Sequence, residues 1–491
     1  MPETTTGATN MLAIEEHSID FIPLNERHGR PRDMFTLFFG GGVVVASIGA
    51  GALFVSPGAS FIWTVVAMVI GLSGGCALAA FHAAQGPTLG IPQMIQSRAQ
   101  FGFRGSIFAM IMAEFIYIGF FASNPSASAL LVVGGAPSLS VIFLTVVIAV
   151  LCALVALFGY NFSHALGKVL TVVAIVVYLV AFLTLIFHNT LPNGGSVPLG
   201  GSFSLGLFLG TISFSFIFAA GYAPYVADYS RYLRPDVSVG AVSGWTYLGI
   251  WVGELWLLVF GALLGVESRY TPDVFGALFT VVSGLGLWFA WLFVTVTCIV
   301  TVLQGSFSLY AGVNTALSLV QSLNPRFAVT KSRTARIVAM VPVFALALAA
   351  SIAYANSFFG VFGDFLSVAV LFLLPWSAVN LVDFYFVRRR HYVTAEIFKP
   401  NGMYGSWNWP GLVSWLVGAA VAVPFANLTF WVGPIANAVN GGDLSWFVAP
   451  VVGGGLYLVL ARRRLGNLRA GLPRDGSVAD SGQPAVRPSA P

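Results

Sequence analysis

The sequence predicts an all-α integral membrane protein of twelve helical spans, built as two five-helix repeats of opposite orientation followed by two further helices. Three observations predict it. Of 491 residues, 57% are hydrophobic and only 8% charged, with a mean hydropathy of +0.86, whereas a soluble protein carries about 25% charged residues. Apolar stretches of spanning length, roughly 20 residues, recur along the whole chain. Two of these stretches, five spans apart, are interrupted at matching places by Gly, or by Gly and Pro, which is the pattern of an inverted repeat.

The spans are predicted at 34–55, 60–84, 106–133, 138–158, 165–187, 205–226, 241–266, 284–318, 336–354, 356–387, 409–431 and 444–461. They group into a cytoplasmic N-terminal tail (1–33), a first repeat (34–187), a second repeat (205–387), helices eleven and twelve (409–461) and a disordered cytoplasmic tail (462–491). Sidedness follows from Lys and Arg, which concentrate in cytoplasmic loops. Arg27, Arg30, Arg32, Arg98, Arg104, Lys168, Arg231, Arg234, Arg326, Lys331, Arg333, Arg336, Arg388, Arg389, Arg390 and Lys399 all fall on one side, and Arg269 alone on the other. Both termini are therefore expected inside, in a cell membrane. The net charge of +5 is scattered over separate loops with no aromatic-interleaved patch, so nucleic acid is not expected as a partner. Cys76, Cys152 and Cys298 lie in apolar segments and read as small buried hydrophobes rather than as disulfides or metal ligands.

Taken in order, the polar tail carries no secretory-signal pattern and ends in HSIDFIPLNERHGRPRD, expected along the cytoplasmic surface. The first span holds Gly40, Gly41 and Gly42 in a row. Adjacent glycines weaken a helix by about 1 kcal/mol each relative to Ala. They either open the backbone to a ligand or allow close helix contact. Gly86 to Gly105, too polar to span and too apolar for a free loop, is expected at the cytoplasmic interface.

The third span carries Glu114, then Phe120 and Asn124, four apart and so on one face. An aromatic plate beside an amide suits a flat heterocycle with a hydrogen-bonding edge; the alternative is a packed Phe beside an interhelical amide bond. Tyr160, Asn161 and His164 are expected in a short loop, and HNTLPNGGSVPLGGS as a linker dividing the repeats. The sixth span, LGLFLGTISFSFIFAAGYAPYVADYSRYL, breaks between Ala220 and Pro224, because Pro224 removes a donor and Gly221 loosens the turn before it. Broken helices are where secondary transporters hold substrate. Glu254 in the seventh span and Asp364 in the tenth join Glu114 as carboxyls in apolar helices, which must be protonated or meet a partner. The eighth span carries Thr297, Thr301, Gln304, Ser306 and Ser308.

With these residues in view, the chain resembles the nucleobase–cation symporter family and, within it, the purine–cytosine permease branch. The resemblance rests on HSIDFIPLNERHGRPRD, GIPQMIQSRAQFGFRG and GYAPYVADYSRYL, and extends from about His17 to Arg464. It implies a LeuT-like fold with alternating access, and a planar base held between aromatics of the third and sixth spans and amides of the third and eighth. Carried over from the RAQFGFRG anchor, Phe120 takes the stacking position and Asn124 the amide position. The second aromatic position falls at Ala219, so Phe218 or Tyr222 must serve. Gly41, Gly42, Gly221, Gln304 and Ser306 complete the expected substrate site.

Sodium-coupled members place hydroxyls in the eighth span where this chain, anchored on Leu309–Tyr310, has Leu303 and Gln304. The resemblance therefore implies H+ rather than Na+ as coupling ion, with Glu254, Glu114 and Asp364 as candidate carriers, and no cofactor, metal or obligate protein partner. The expected activity is import of cytosine, purines or a similar planar heterocycle. A sodium-coupled symporter of a hydantoin or allantoin is the alternative. An intramembrane aspartyl enzyme would need Gly-x-Gly-Asp, and Val361–Asp364 lacks its first glycine. No nucleophile elbow or phosphate-cradling loop appears, and a passive channel remains the other non-coupled class.

Overall fold

The computed structural model describes residues 19–55, 59–158, 160–188, 201–268, 273–325, 333–428 and 430–471. Its helices are α1 (Asp33–Gly42), α2 (Val45–Leu53), α3 (Phe61–Ala83), α4 (Gln85–Leu89), α5 (Gln93–Phe101), α6 (Ser106–Gly135), α7 (Val141–Phe158), α8 (Tyr160–His188), α9 (Leu205–Ala220) and α10 (Val226–Ser230). There follow α11 (Val239–Glu267), α12 (Val274–Ser283), α13 (Leu287–Leu323), α14 (Arg333–Asn356), α15 (Phe358–Val382), α16 (Thr394–Ile397), α17 (Trp409–Ala422), α18 (Pro434–Ala438) and α19 (Ser445–Gly471). Residues 1–18, the linker at 189–200, Arg269, Lys331 and the tail beyond Gly471 lie outside the described residues.

Among the described residues, eight helices are long and apolar enough to cross a membrane, and nine if the bent pair α1–α2 is one span. Val141–Leu157, Leu205–Ala220 and Trp409–Phe425 are apolar but shorter, and each falls where a span is predicted. Helix length alone thus accounts for nine of the twelve predicted spans. The sixth is short because it stops at its break, and the eleventh because it runs into a 3-10 turn and a two-stranded ribbon, Asn427–Leu428 with Trp431–Val432.

Packing exchanges partners as an inverted repeat would. α1 and α2 run along α11, while α9 runs along α3; α6 crosses α13 at the centre, with α7 on α13 and α14 on α6. Close approach is bought by glycine: a Cβ on Gly75 of α3 would meet the Ala219 side chain at 2.9 Å. Polar caps start the helices beside the loops. Ser238 accepts from Ala241 N at 3.4 Å at the head of α11, and Asp273 from Gly276 N at 3.0 Å at the head of α12.

Outside the predicted spans the structure also forms helices. α12 fills part of the stretch between the seventh and eighth predicted spans, and its ten residues are too few to cross a membrane. Tyr160, Asn161 and His164, expected in a loop, open α8. The segment expected at the interface folds as α4 and α5, and every residue of α5 is buried. Its amides find partners inside: Gln96 Nε2 donates to Ile91 O at 2.8 Å and Gln93 N to Asp228 Oδ1 at 2.7 Å. The preceding tail is tied onto it, with Ile22 N donating to Gly90 O at 2.9 Å and Arg27 Nη1 to Pro87 O at 2.8 Å.

Candidate functional site

The two interrupted helices meet at one place. Between α1 and α2 the chain bends by 64°. Val43 takes φ −82° and ψ 74°, and Val44 N donates to Gly42 O at 2.9 Å, a tight inverse γ-turn. The glycines themselves stay helical, so the unwound residues are Val43 and Val44 rather than Gly40 to Gly42. Each glycine faces a different neighbour. A Cβ would meet Thr171 of α8 at Gly40, the ring of Tyr222 at 3.8 Å at Gly41, and the Glu254 carboxyl at 3.1 Å at Gly42. Close packing claims the first and third, and the second faces the site.

The other break begins where predicted. α9 ends at Ala220, a turn carries Gly221 to Tyr225, and α10 resumes at Val226. Tyr117 OH donates to the carbonyl of Pro224 at 2.8 Å, satisfying an acceptor the break sets free.

Between the breaks lies a cavity of about 80 Å³, several times the about 10–15 Å³ one water needs. Of the expected residues, Gly41, Phe120, Asn124, Phe218, Gly221, Tyr222, Glu254 and Gln304 line it. Phe120 is held edge-to-face by Phe218 (centroids 5.9 Å, 72°) and Phe365 (5.1 Å, 89°), the arrangement an aromatic quadrupole favours. A side chain on Gly221 would run into the Phe120 ring, so this ring can lie against the break only because residue 221 is glycine. Ala219 turns away onto α3, and Phe218 and Tyr222 supply the aromatic surface of the sixth span.

The polar groups are held from behind. Tyr222 OH donates to Glu254 Oε1 at 2.7 Å and Ser47 Oγ to Oε2 at 2.8 Å. Gln304 Nε2 donates to the Gly40 carbonyl at 2.8 Å, and Asn124 Nδ2 to Phe120 O at 3.0 Å. Gly42 stands behind the wall, against Glu254.

Three expected residues lie elsewhere. Ser306 folds its hydroxyl back to Leu303 O at 2.6 Å on the buried side of α13; Ser308, one turn beyond Gln304, lines the cavity instead. Glu114 sits about a turn and a half before Phe120, where its carboxyl faces Gly312 of α13. Asp364 is half-buried on α15 and does not line the cavity, although its neighbours Phe362 and Phe365 support Phe218 and Phe120. Sequence reasoning missed Phe38, Ser123, Tyr225, Tyr229 and Phe307 in the wall and Ser47 behind Glu254. Tyr222 and Tyr225 come from the turn and Tyr229 from α10, so their convergence follows from the break and not from helical spacing; Ser47 reaches Glu254 from 207 residues away, with no local signal. Among the described residues no group of three or more His, Cys, Asp and Glu is placed to hold a metal ion.

The model of a family described as permeases for cytosine/purines, uracil, thiamine and allantoin matches residues 21–449. YxlA of Bacillus subtilis, which carries a purine-cytosine permease name, is 34% identical over 462 residues, 92% of this chain and 97% of that protein. The purine-cytosine permease fcyB of Emericella nidulans is 25% identical over 463 residues, 89% of this chain and 86% of that one. Among solved structures, Mhp1, a nucleobase-cation-symport-1 family transporter captured closed with bromovinylhydantoin bound, superposes with a TM-score of 0.71 at 18% identity, over 93% of this chain and 97% of its own. That likeness shows the LeuT-like fold the resemblance implied. The protein is a membrane permease and not an enzyme, and the chain belongs to the family of permeases for cytosine/purines, uracil, thiamine and allantoin.

Proposed function

We propose that the protein imports a nucleobase, or a similar planar heterocycle, by proton symport through alternating access, with the base in the cavity between the two breaks and the proton on Glu254. The carrying observation is that Glu254 both lines the cavity and accepts a hydrogen bond from Tyr222, a residue of the second break. One carboxyl thus touches the substrate space and both interrupted helices, since Ser47 of α2 is its other partner. A proton needs one such group; sodium needs several oxygen ligands close together. At the first break the Gly40 carbonyl faces the amide N–H of Gln304, and Leu303 beside it offers no oxygen, which supports the proton. Phe120 and Phe218 are the proposed stacking surfaces, and Asn124 and Gln304 the edge-reading amides.

The remaining parts of this reading are the repeat bounds 34–187 and 205–387, twelve spans with both termini cytoplasmic, and a plasma-membrane location. A second reading, sodium-coupled uptake of a hydantoin or allantoin, draws on the hydantoin-bound structural relative and on allantoin in the family's description. The test is uptake of radiolabelled cytosine and adenine by cells lacking their own permeases, challenged with unlabelled allantoin and hydantoin. Uptake that rises with external acidity and collapses with a protonophore supports the reading. Uptake displaced only by allantoin or a hydantoin overturns it.

A further inference from the structure

Between α3, α4, α5 and the end of α15 runs a buried chain of amides whose direction is set at one end. Asp383, paired with Arg388 Nε at 3.1 Å, is a carboxylate and only accepts. Gln100 must therefore turn its nitrogen to it, at 2.9 Å, which leaves its oxygen for Asn380 Nδ2 at 3.3 Å. Asn380 Oδ1 then accepts from Gln85 Nε2 at 2.6 Å, and Gln85 Oε1 from Gln93 Nε2 at 3.0 Å. The same Gln93 nitrogen lies 3.1 Å from His82 Nδ1. An amide nitrogen cannot accept, so Nδ1 carries no hydrogen, and Nε2–H donates to Ser377 Oγ at 2.6 Å. Trp376 holds the ring in this plane, stacked on it at 5.1 Å and 2°. None of these residues lines the cavity.

We infer that Asp383 is a positioning residue acting at a distance: through four amides it fixes the hydrogen of His82 on Nε2, and the chain so directed holds α10 against α3 and α5. α10 continues the sixth predicted span beyond its break and carries Tyr229 into the cavity wall. It is fastened at the His82 end of the chain, by Ser230 Oγ to Ala83 O at 2.6 Å and by Gln93 N to Asp228 Oδ1 at 2.7 Å. The chain has two complete arrangements. Reversing it turns every amide over, moves the hydrogen of His82 to Nδ1 and lets the Ser377 hydroxyl donate instead of accept. It also sets Gln100 Oε1 against the Asp383 carboxylate, burying two acceptors with no hydrogen between them. The charge at one end thus selects one arrangement for the whole chain, and a cut at any link frees every amide beyond it. The consequence for base binding rests on the proposed placement of the base between the two breaks.

The test uses the full chain in lipid nanodiscs, isotopically labelled in its histidine ring nitrogens and read by NMR, with His82→Gln identifying the His82 signals. In the wild type these signals should report one neutral form with the hydrogen on Nε2. Asn380→Leu cuts the chain at nearly constant volume and leaves Asp383 and its ion pair in place. It should give His82 a mixture of both neutral forms and weaken binding of labelled cytosine roughly fivefold. A merely structural role for Asn380 would lower stability and leave the hydrogen on Nε2. Asp383→Asn, which can donate as well as accept, should give the same mixture, and it serves as the second variant should Asn380→Leu fail to fold. A hydrogen on His82 Nδ1 in the wild type, or a single Nε2–H form in the variants, would overturn the inference. Unchanged cytosine binding in a variant whose His82 is mixed would also overturn it. Absence of cytosine binding by the wild type would instead overturn the placement of the base and leave the His82 result standing.

Discussion

The phenol of Tyr222 donates to Oε1 of Glu254 across 2.7 Å, joining the break of the sixth predicted span to the middle of α11. Ser47 Oγ reaches the other carboxyl oxygen at 2.8 Å from α2. Any rearrangement of either interrupted helix must therefore remake a hydrogen bond to this carboxyl. In the proposed mechanism, this is the link by which a proton on Glu254 and the shape of the cavity bias one another.

Glu254→Gln keeps the shape and removes the titrating group. It is expected to exchange labelled for unlabelled base across the membrane but to lose concentrative uptake. Tyr222→Phe removes one of the carboxyl's two hydroxyl partners, and hydrogen bonds to charged groups are worth about 1.5–3 kcal/mol, so uptake should fall roughly tenfold. Counterflow measured beside gradient-driven accumulation separates the two. Full accumulation by Glu254→Gln removes Glu254 from the proton's path.

Phe120→Ala should cost about 1–3 kcal/mol of base binding, by analogy with base–aromatic stacking. Gly221→Ala should cost a similar amount by another route, since its methyl would displace the Phe120 ring. Because both act on one ring, their effects should not add. Equilibrium binding to the two single variants and the double variant gives the comparison; strict additivity would mean that the ring and Gly221 act separately.

Asp383 is fully buried and accepts from Tyr457 OH at 2.8 Å, Gln100 Nε2 at 2.9 Å, Tyr392 OH at 2.7 Å and Arg388 Nε at 3.1 Å. It binds α19 and α5 to the end of α15. Asp383→Ala strands these donors, and breaking a buried ion pair typically costs 3–5 kcal/mol. Thermal unfolding in detergent should show a lowered midpoint. An unchanged midpoint would mean that the donors find other partners.

Topology is tested by reporter fusions. Fusions after Arg104, Arg234, Arg336 and Lys399 should score cytoplasmic, and fusions at Gly194 and Pro272 external. A cytoplasmic score at Gly194 would contradict twelve spans with an inverted repeat.

The sequence carried more of the second break than of the first. At Gly221 to Pro224 a missing donor and a loosened turn act locally, so the helix ends where the residues require. At Gly40 to Gly42 the expectation of unwound glycines missed by a few residues. The missing side chains there serve contact with Thr171 and Glu254, and the chain opens only at Val43, which no local property of valine announces. In α13, Gln304 and Ser308 share a face while Ser306 points to the opposite side, so helical spacing already favoured Ser308. The choice among Glu114, Glu254 and Asp364 was not legible, because each is one carboxyl in an apolar run. Only the three-dimensional packing sets Glu254 against Tyr222 and Ser47.

The central claim is that this cavity couples a base to a proton. It is tested most directly by labelled cytosine uptake into proteoliposomes, with a proton gradient and a sodium gradient imposed separately at clamped voltage. The account predicts accumulation above the external concentration with an inward proton gradient alone, unchanged when sodium is replaced by choline. Accumulation driven by a sodium gradient alone at fixed pH would contradict it.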